Sequence, residues 1–191
     1  MTNNYEGTSI LKEHSLPTEK VEDLSAWTGK DLELRSDYRF KLSLDQQQEL
    51  LKAIQPLKGK ALHEILPEQV SLPLTASLLQ HLQSQLREGL GFSLLSGMPI
   101  EDLSMKDIEL MYWMIGMCVG VGVSQNSDAG LVHYVTDGKL RPNMGERRVG
   151  NPGPIGSHVD LSDCVRLLCV RQPPEAPKST VARASRLYNS I

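Results

Sequence analysis

The chain opens polar and turns amphipathic only beyond residue 26. Residues 1–25 carry no apolar stripe and predict a flexible N-terminal arm. Trp27, Leu32 and Leu34 bring in the first apolar side chains, and Tyr38 to Leu42 reads as a short extended piece. Ser43-Leu-Asp-Gln46 then has the spacing of a capping box, in which a hydroxyl and the side chain three residues later each satisfy the other's backbone N–H. Leu50, Leu51 and Ile54 follow on one face, so a helix is predicted over about 44–55, closed by Pro56 and Gly59. A short segment around 62–66 ends at Pro67. The stripe Leu78, Leu79, Leu82 and Leu86 predicts a second helix over 74–88, with Pro73 at its entry and Gly89 and Gly91 behind it. A second capping box, Ser104-Met-Lys-Asp107, opens a third helix over 105–118. Leu110, Met111, Trp113, Met114 and Met117 make that helix a core element, and Gly116, Gly120 and Gly122 let it pack closely on a sheet before ending it.

The second half reads differently. Residues 92–96, 131–135, 155–160, 164–170 and 179–184 have the short apolar or alternating pattern of strands of one β-structure. Cys164 to Val170 is a near-continuous apolar run, as suits a strand covered on both faces. Residues 139–154 form a long loop rich in Arg, Asn, Gly and Pro, and Ser185 onward begins a helical turn. Helices first and strands afterwards predict an α+β chain, a helical layer leading into an all-β core.

Composition narrows the function classes. At 191 residues, 40% hydrophobic and 23% charged, the chain is long and apolar enough for one domain with a buried core. The net charge of -3 with no basic block excludes nucleic acid as the expected partner. The longest apolar run, Ile108 to Val123, is broken by Glu109, Gly116, Gly120 and Gly122, so no membrane partner is expected. The N-terminus lacks a hydrophobic signal core. Cys118, Cys164 and Cys169 form no C-x-x-C pair, which suits a reducing, cytoplasmic compartment and buried, non-ligating thiols.

His158-Val159-Asp160 is the candidate chemistry. On a strand, side chains two apart share a face, which aims an imidazole and a carboxylate at one point. That is two thirds of the two-His-one-carboxylate triad that holds non-haem Fe(II) and leaves open positions. The same spacing also suits a His and an Asp simply hydrogen-bonded at a strand-to-loop junction, which is the commoner case. His81, beside the stripe of the second helix, and His133, on the 131–135 strand, read as ordinary helix and strand histidines.

The order and spacing of many pieces resemble one family. They are Trp27, Leu32, Tyr38, Leu42-Ser43 and Leu72-Pro-Leu74, then GLGFSLLSGMP from Gly89 to Pro99, Ser124-Gln-Asn126 and His158-Val-Asp160, then DCVRLLCVR from Asp163 to Arg171, and Ser185 with Tyr188-Asn189. Together they resemble the TauD/TfdA-like Fe(II)- and 2-oxoglutarate-dependent dioxygenases from about residue 26 to residue 191. The resemblance implies a double-stranded β-helix, a jelly roll of the clavaminate synthase-like, cupin type with helices packed outside, and makes 26–191 a partial dioxygenase domain. It makes His158 and Asp160 two of the iron ligands and Ser179 a contact of 2-oxoglutarate. The family's Gly-Gly-x-Ser/Thr segment is Ala176-Pro177-Lys178-Ser179 here, so the hydroxyl is kept and both glycines are replaced.

Family members carry a further His and a 2-oxoglutarate-binding Arg well beyond the position of Ile191. The jelly roll is therefore expected to be incomplete at the C-terminus, and the isolated chain to be inactive. The implied reaction consumes 2-oxoglutarate and O₂, releases succinate and CO₂, and oxidises a small organic molecule. The carboxylate at Asp160 favours hydroxylation over halogenation. A second copy or another chain is the expected partner where strands are missing. Two other readings stand beside this one: a non-catalytic descendant of the family acting as a binding protein, and an unrelated cupin-like metal-binding module.

Overall fold

A computed structural model describes residues 19–125, 129–135, 156–160, 162–172, 174–176 and 178–191. Its core is built by three helices, α2 (Leu44–Ala53), α3 (Ala76–Arg87) and α4 (Met105–Val119). Shorter helices flank them, α1 (Gly29–Glu33) near the start and α5 (Ala184–Tyr188) near the end. Two three-residue strands, β1 (Arg39–Lys41) and β2 (Leu94–Ser96), pair in parallel with Phe40 opposite Leu95. A parallel pair needs a long crossover, and here α2 and α3 make it.

The capping residues act where the sequence places them. Gln46 N donates to Ser43 Oγ at 3.2 Å and Ser43 N donates to Gln46 Oε1 at 2.9 Å, closing the box that starts α2. Asp107 N donates to Ser104 Oγ at 3.1 Å at the start of α4. The Asp107 carboxylate also takes Lys58 Nζ at 3.2 Å, and the Lys58 and Ser104 hydrogen bonds hold its carboxyl below the usual carboxylate range. The core faces are the apolar stripes: Leu50 and Ile54 from α2 and its end, Leu79 and Leu82 from α3, and Leu110, Met111, Met114 and Ile115 from α4. Phe40 and Leu95 pack against this cluster from the sheet, so the Met-rich helix is core, as its pattern predicts.

α3 begins at Ala76, two residues later than the stripe predicts. Leu74 and Thr75 stay outside it because a carboxylate from α2 takes their amides. Leu74 N donates to Glu49 Oε1 at 2.7 Å, and Thr75 N and Oγ1 donate to Glu49 Oε2 at 2.8 and 2.6 Å. Glu49 therefore supplies an anionic cap to a helix N-terminus 26 residues away.

Beyond α4 the described backbone has no strand ladder. Residues 131–135, 155–160, 164–170 and 179–184 are expected as strands; 155 lies outside the described residues, the others up to 183 carry no ladder, and Ala184 starts α5. A strand needs a neighbour to hydrogen-bond, and apolar alternation sets only which face it would bury. Val135, Val159, Val165, Leu167 and Val181 are all exposed. Cys118, Cys164 and Cys169 are also exposed free thiols, against the expectation of burial, since two of them lie on this uncovered segment and Cys118 sits at the end of α4. Among the described residues no helix is long and apolar enough to cross a membrane.

The two ends of the described chain meet. Val21 N donates to Asn189 Oδ1 at 2.8 Å and Asn189 Nδ2 donates to Val21 O at 2.7 Å, so one side-chain amide copies a backbone pairing. Ser25 Oγ donates to Ser185 Oγ at 2.8 Å, and Ser185 Oγ lies 2.9 Å from Ser25 O. This holds α5 against the turn Leu24–Ala26. Just beyond that turn the Trp27 and Phe92 ring centroids lie 5.4 Å apart, and those of Tyr38 and Phe92 5.0 Å. The arm expected over 1–25 is thus tied down from Val21; residues 1–18 lie outside the described residues.

Candidate metal centre

His158 lies among residues 156–160, which are exposed and irregular. Its Nδ1 is 2.9 Å from the Gly156 carbonyl oxygen. A carbonyl only accepts, so Nδ1 carries the proton and a neutral ring keeps its lone pair on Nε2. Metal-bound histidines commonly have this arrangement, one ring nitrogen donating to a carbonyl and the other free to ligate. Asp160 follows two residues later and is exposed, as is Ser179. One imidazole nitrogen and one carboxylate are donors of the kind that non-haem Fe(II) takes. Among the described residues, no group of three or more His, Cys, Asp and Glu side chains gathers around a common point.

Other sequence candidates fall elsewhere. His133 is exposed, and His81 is exposed on α3 with its ring centroid 5.4 Å from that of Phe40. Two open grooves of about 470 and 350 Å³ lie along α2 and α3, and neither is lined by His158, Asp160 or Ser179.

What the sequence did not single out is how the segments around His158 are held to α4. The Arg166 guanidinium lies 4.0 Å over the Tyr112 ring, and the Tyr112 hydroxyl donates to the Arg166 carbonyl. It also sits on Gly116, where an added Cβ would come within 2.2 Å of Arg166 Nη2. Arg166 Nε and Nη1 are buried without a hydrogen-bond partner. Tyr134, on the upstream side of His158, is hydrogen-bonded to Glu109. Its hydroxyl is pushed up to about 12 by burial first, then by the Glu109 charge and hydrogen bond. Burial likewise pushes the Cys118 thiol up, against the charge of Arg166. The sequence signal was Gly116 inside an apolar helix. It implied a close approach by a sheet, and what approaches is a guanidinium.

No family model matches the chain. Over 171 residues it is 26% identical to FR-33289 synthase of Streptomyces rubellomurinus, a match that covers 87% of this chain and 50% of that protein. The chain spans about half the length of the curated relative it matches. The likeness is distant, and it is to an enzyme.

Proposed function

We propose that this chain is part of an Fe(II)- and 2-oxoglutarate-dependent oxygenase that oxidises a small organic molecule, with His158 and Asp160 as two of its iron ligands. The observation that carries the reading is the His158 ring, fixed through Nδ1 to the Gly156 carbonyl so that Nε2 is the free nitrogen two residues from a carboxylate. The distant likeness to a synthase supports an enzyme over a purely structural protein. Bound at these residues with 2-oxoglutarate, the metal supplies oxidative decarboxylation coupled to oxidation of a substrate C–H bond. His158 offers a neutral nitrogen, Asp160 a negative oxygen that offsets part of the metal's charge, and the exposed Ser179 hydroxyl a hydrogen bond to the co-substrate. The proposal carries a fold with it, a jelly roll whose strand pairing would cover Val159, Val165, Leu167 and Val181.

A second reading, a non-catalytic descendant acting as a binding protein, draws on the exposure of both candidate ligands. Metal titration separates the two. Under anaerobic conditions the chain should bind Co(II) or Fe(II) weakly, because two protein ligands leave most positions to water. His158→Ala and Asp160→Ala should each weaken binding by more than about tenfold, the lower end of what outer-shell changes cost. Equal binding by all three proteins would sink the ligand assignment. After Fe(II), 2-oxoglutarate and O₂ are added, the isolated chain should release no succinate; succinate that disappears in His158→Ala would show the chain competent alone.

A further inference from the structure

α4 works with two faces. Ile108, Met111 and Ile115 are buried, at spacings of three and four residues. Glu109, Tyr112 and Gly116 repeat the same spacing on another face, and there the later chain is attached. Tyr134 is bonded to Glu109, and Arg166 is seated on Tyr112 and Gly116. The chain between these two anchors carries His158 and Asp160.

We propose that Arg166 is a positioning residue for these two side chains: its guanidinium, stacked on Tyr112 and admitted by Gly116, pins the segment that presents them. The inference rests on the reading of His158 and Asp160 as metal ligands. Asp160 is six residues before Arg166, and an extended chain spans at most about 3.5 Å per residue, so the pin keeps Asp160 within about 20 Å of α4. Among the described residues, the tethers on either side of it are Tyr134, 26 residues before Asp160, and Arg183, beside Gly91 and 23 residues after it. Longer tethers leave more conformations to be lost when one metal gathers both ligands. The contact also demands an arginine. A flat guanidinium can lie on a ring and on the bare backbone of a glycine together, which a tetrahedral ammonium cannot. A side chain at position 116 would occupy the space of the guanidinium nitrogens, with its Cβ at 2.2 Å from Nη2 and 2.6 Å from Nη1.

The test uses the full chain and Co(II) as the probe, with binding followed by visible absorption. Gly116→Ala and Arg166→Met attack the contact from opposite sides. Each should raise the Co(II) dissociation constant about ten- to hundredfold, the range typical of residues that orient metal ligands. Arg166→Lys should not restore binding. The urea midpoint followed by helical signal should stay level or rise in Gly116→Ala, because alanine is the better helix former. A residue that merely stabilised the fold would lower midpoint and metal affinity together, and that result overturns the proposal. So does unchanged Co(II) affinity in both variants. If wild type binds Co(II) no better than His158→Ala, the ligand assignment fails and takes this inference with it. If His158→Ala loses binding while Gly116→Ala and Arg166→Met keep it, only the positioning role fails.

Discussion

Replacing Glu49 with alanine removes the link that joins α2 to the start of α3. The carboxylate accepts three hydrogen bonds, from Leu74 N, Thr75 N and Thr75 Oγ1, at 2.7, 2.8 and 2.6 Å. Hydrogen bonds to a charged group contribute about 1.5–3 kcal/mol each when measured singly, but they are not additive. Glu49 and Leu74 reach solvent, so water takes over part of what is lost there. Thr75 is fully buried; its amide keeps the Leu72 carbonyl at 3.1 Å, but its hydroxyl would lose its Glu49 acceptor. An unsatisfied buried group costs about 1–3 kcal/mol, and loss of a helix cap about 1 kcal/mol.

A net loss of about 2–3 kcal/mol is therefore expected, a large share of the stability of an ordinary domain. The effect cannot come from α2 itself, because alanine is at least as good a helix former as glutamate. Glu49→Gln keeps the shape and one acceptor oxygen and should lose about half as much. Thr75→Val removes the hydroxyl but leaves both amides on the carboxylate, and should cost about 1 kcal/mol. Urea unfolding followed at 222 nm measures each variant through the midpoint at constant slope. In the Glu49→Ala, Thr75→Val double variant the two losses should overlap by about 1 kcal/mol. A Glu49→Ala midpoint equal to wild type, or strictly additive losses in the double variant, would refute the cap.

Two further outcomes follow, one from Tyr134 and one from the contact between the ends of the described chain. Tyr134 holds its proton to about 12 while an unfolded tyrosine releases it near 10, so its contribution is complete below about pH 10 and is lost as pH rises toward 12. Absorbance at 295 nm should show one of the five tyrosines titrating late, and Tyr134→Phe should abolish that step; a late step that survives the substitution would count against the Glu109 contact. Asn189→Ala removes both hydrogen bonds to Val21 and should ease local opening by about 1–2 kcal/mol, quickening exchange of the Val21 amide about 5- to 30-fold; unchanged exchange would show that the clasp does not hold in solution.

The three long helices were legible because their signals are local. Ser43 and Gln46 meet across a single turn, and Leu50, Ile54, Met111 and Met114 recur at the helical period whatever the rest of the chain does. The His158–Asp160 spacing was legible for the same reason, as two donors set apart by one residue. Tertiary structure alone decided the rest. Glu49 caps α3 from 26 residues away, Tyr112 meets Arg166 across 54, and Asn189 clasps Val21 across 168. None of these pairs has a periodicity or a motif, because each depends on where the packed core leaves its ends. The strand patterns beyond Ser124 show the converse limit. Apolar content at Val165 and Leu167 states which surface wants cover, but a ladder exists only where a second backbone lies alongside, and the order of residues in one segment does not place its neighbour.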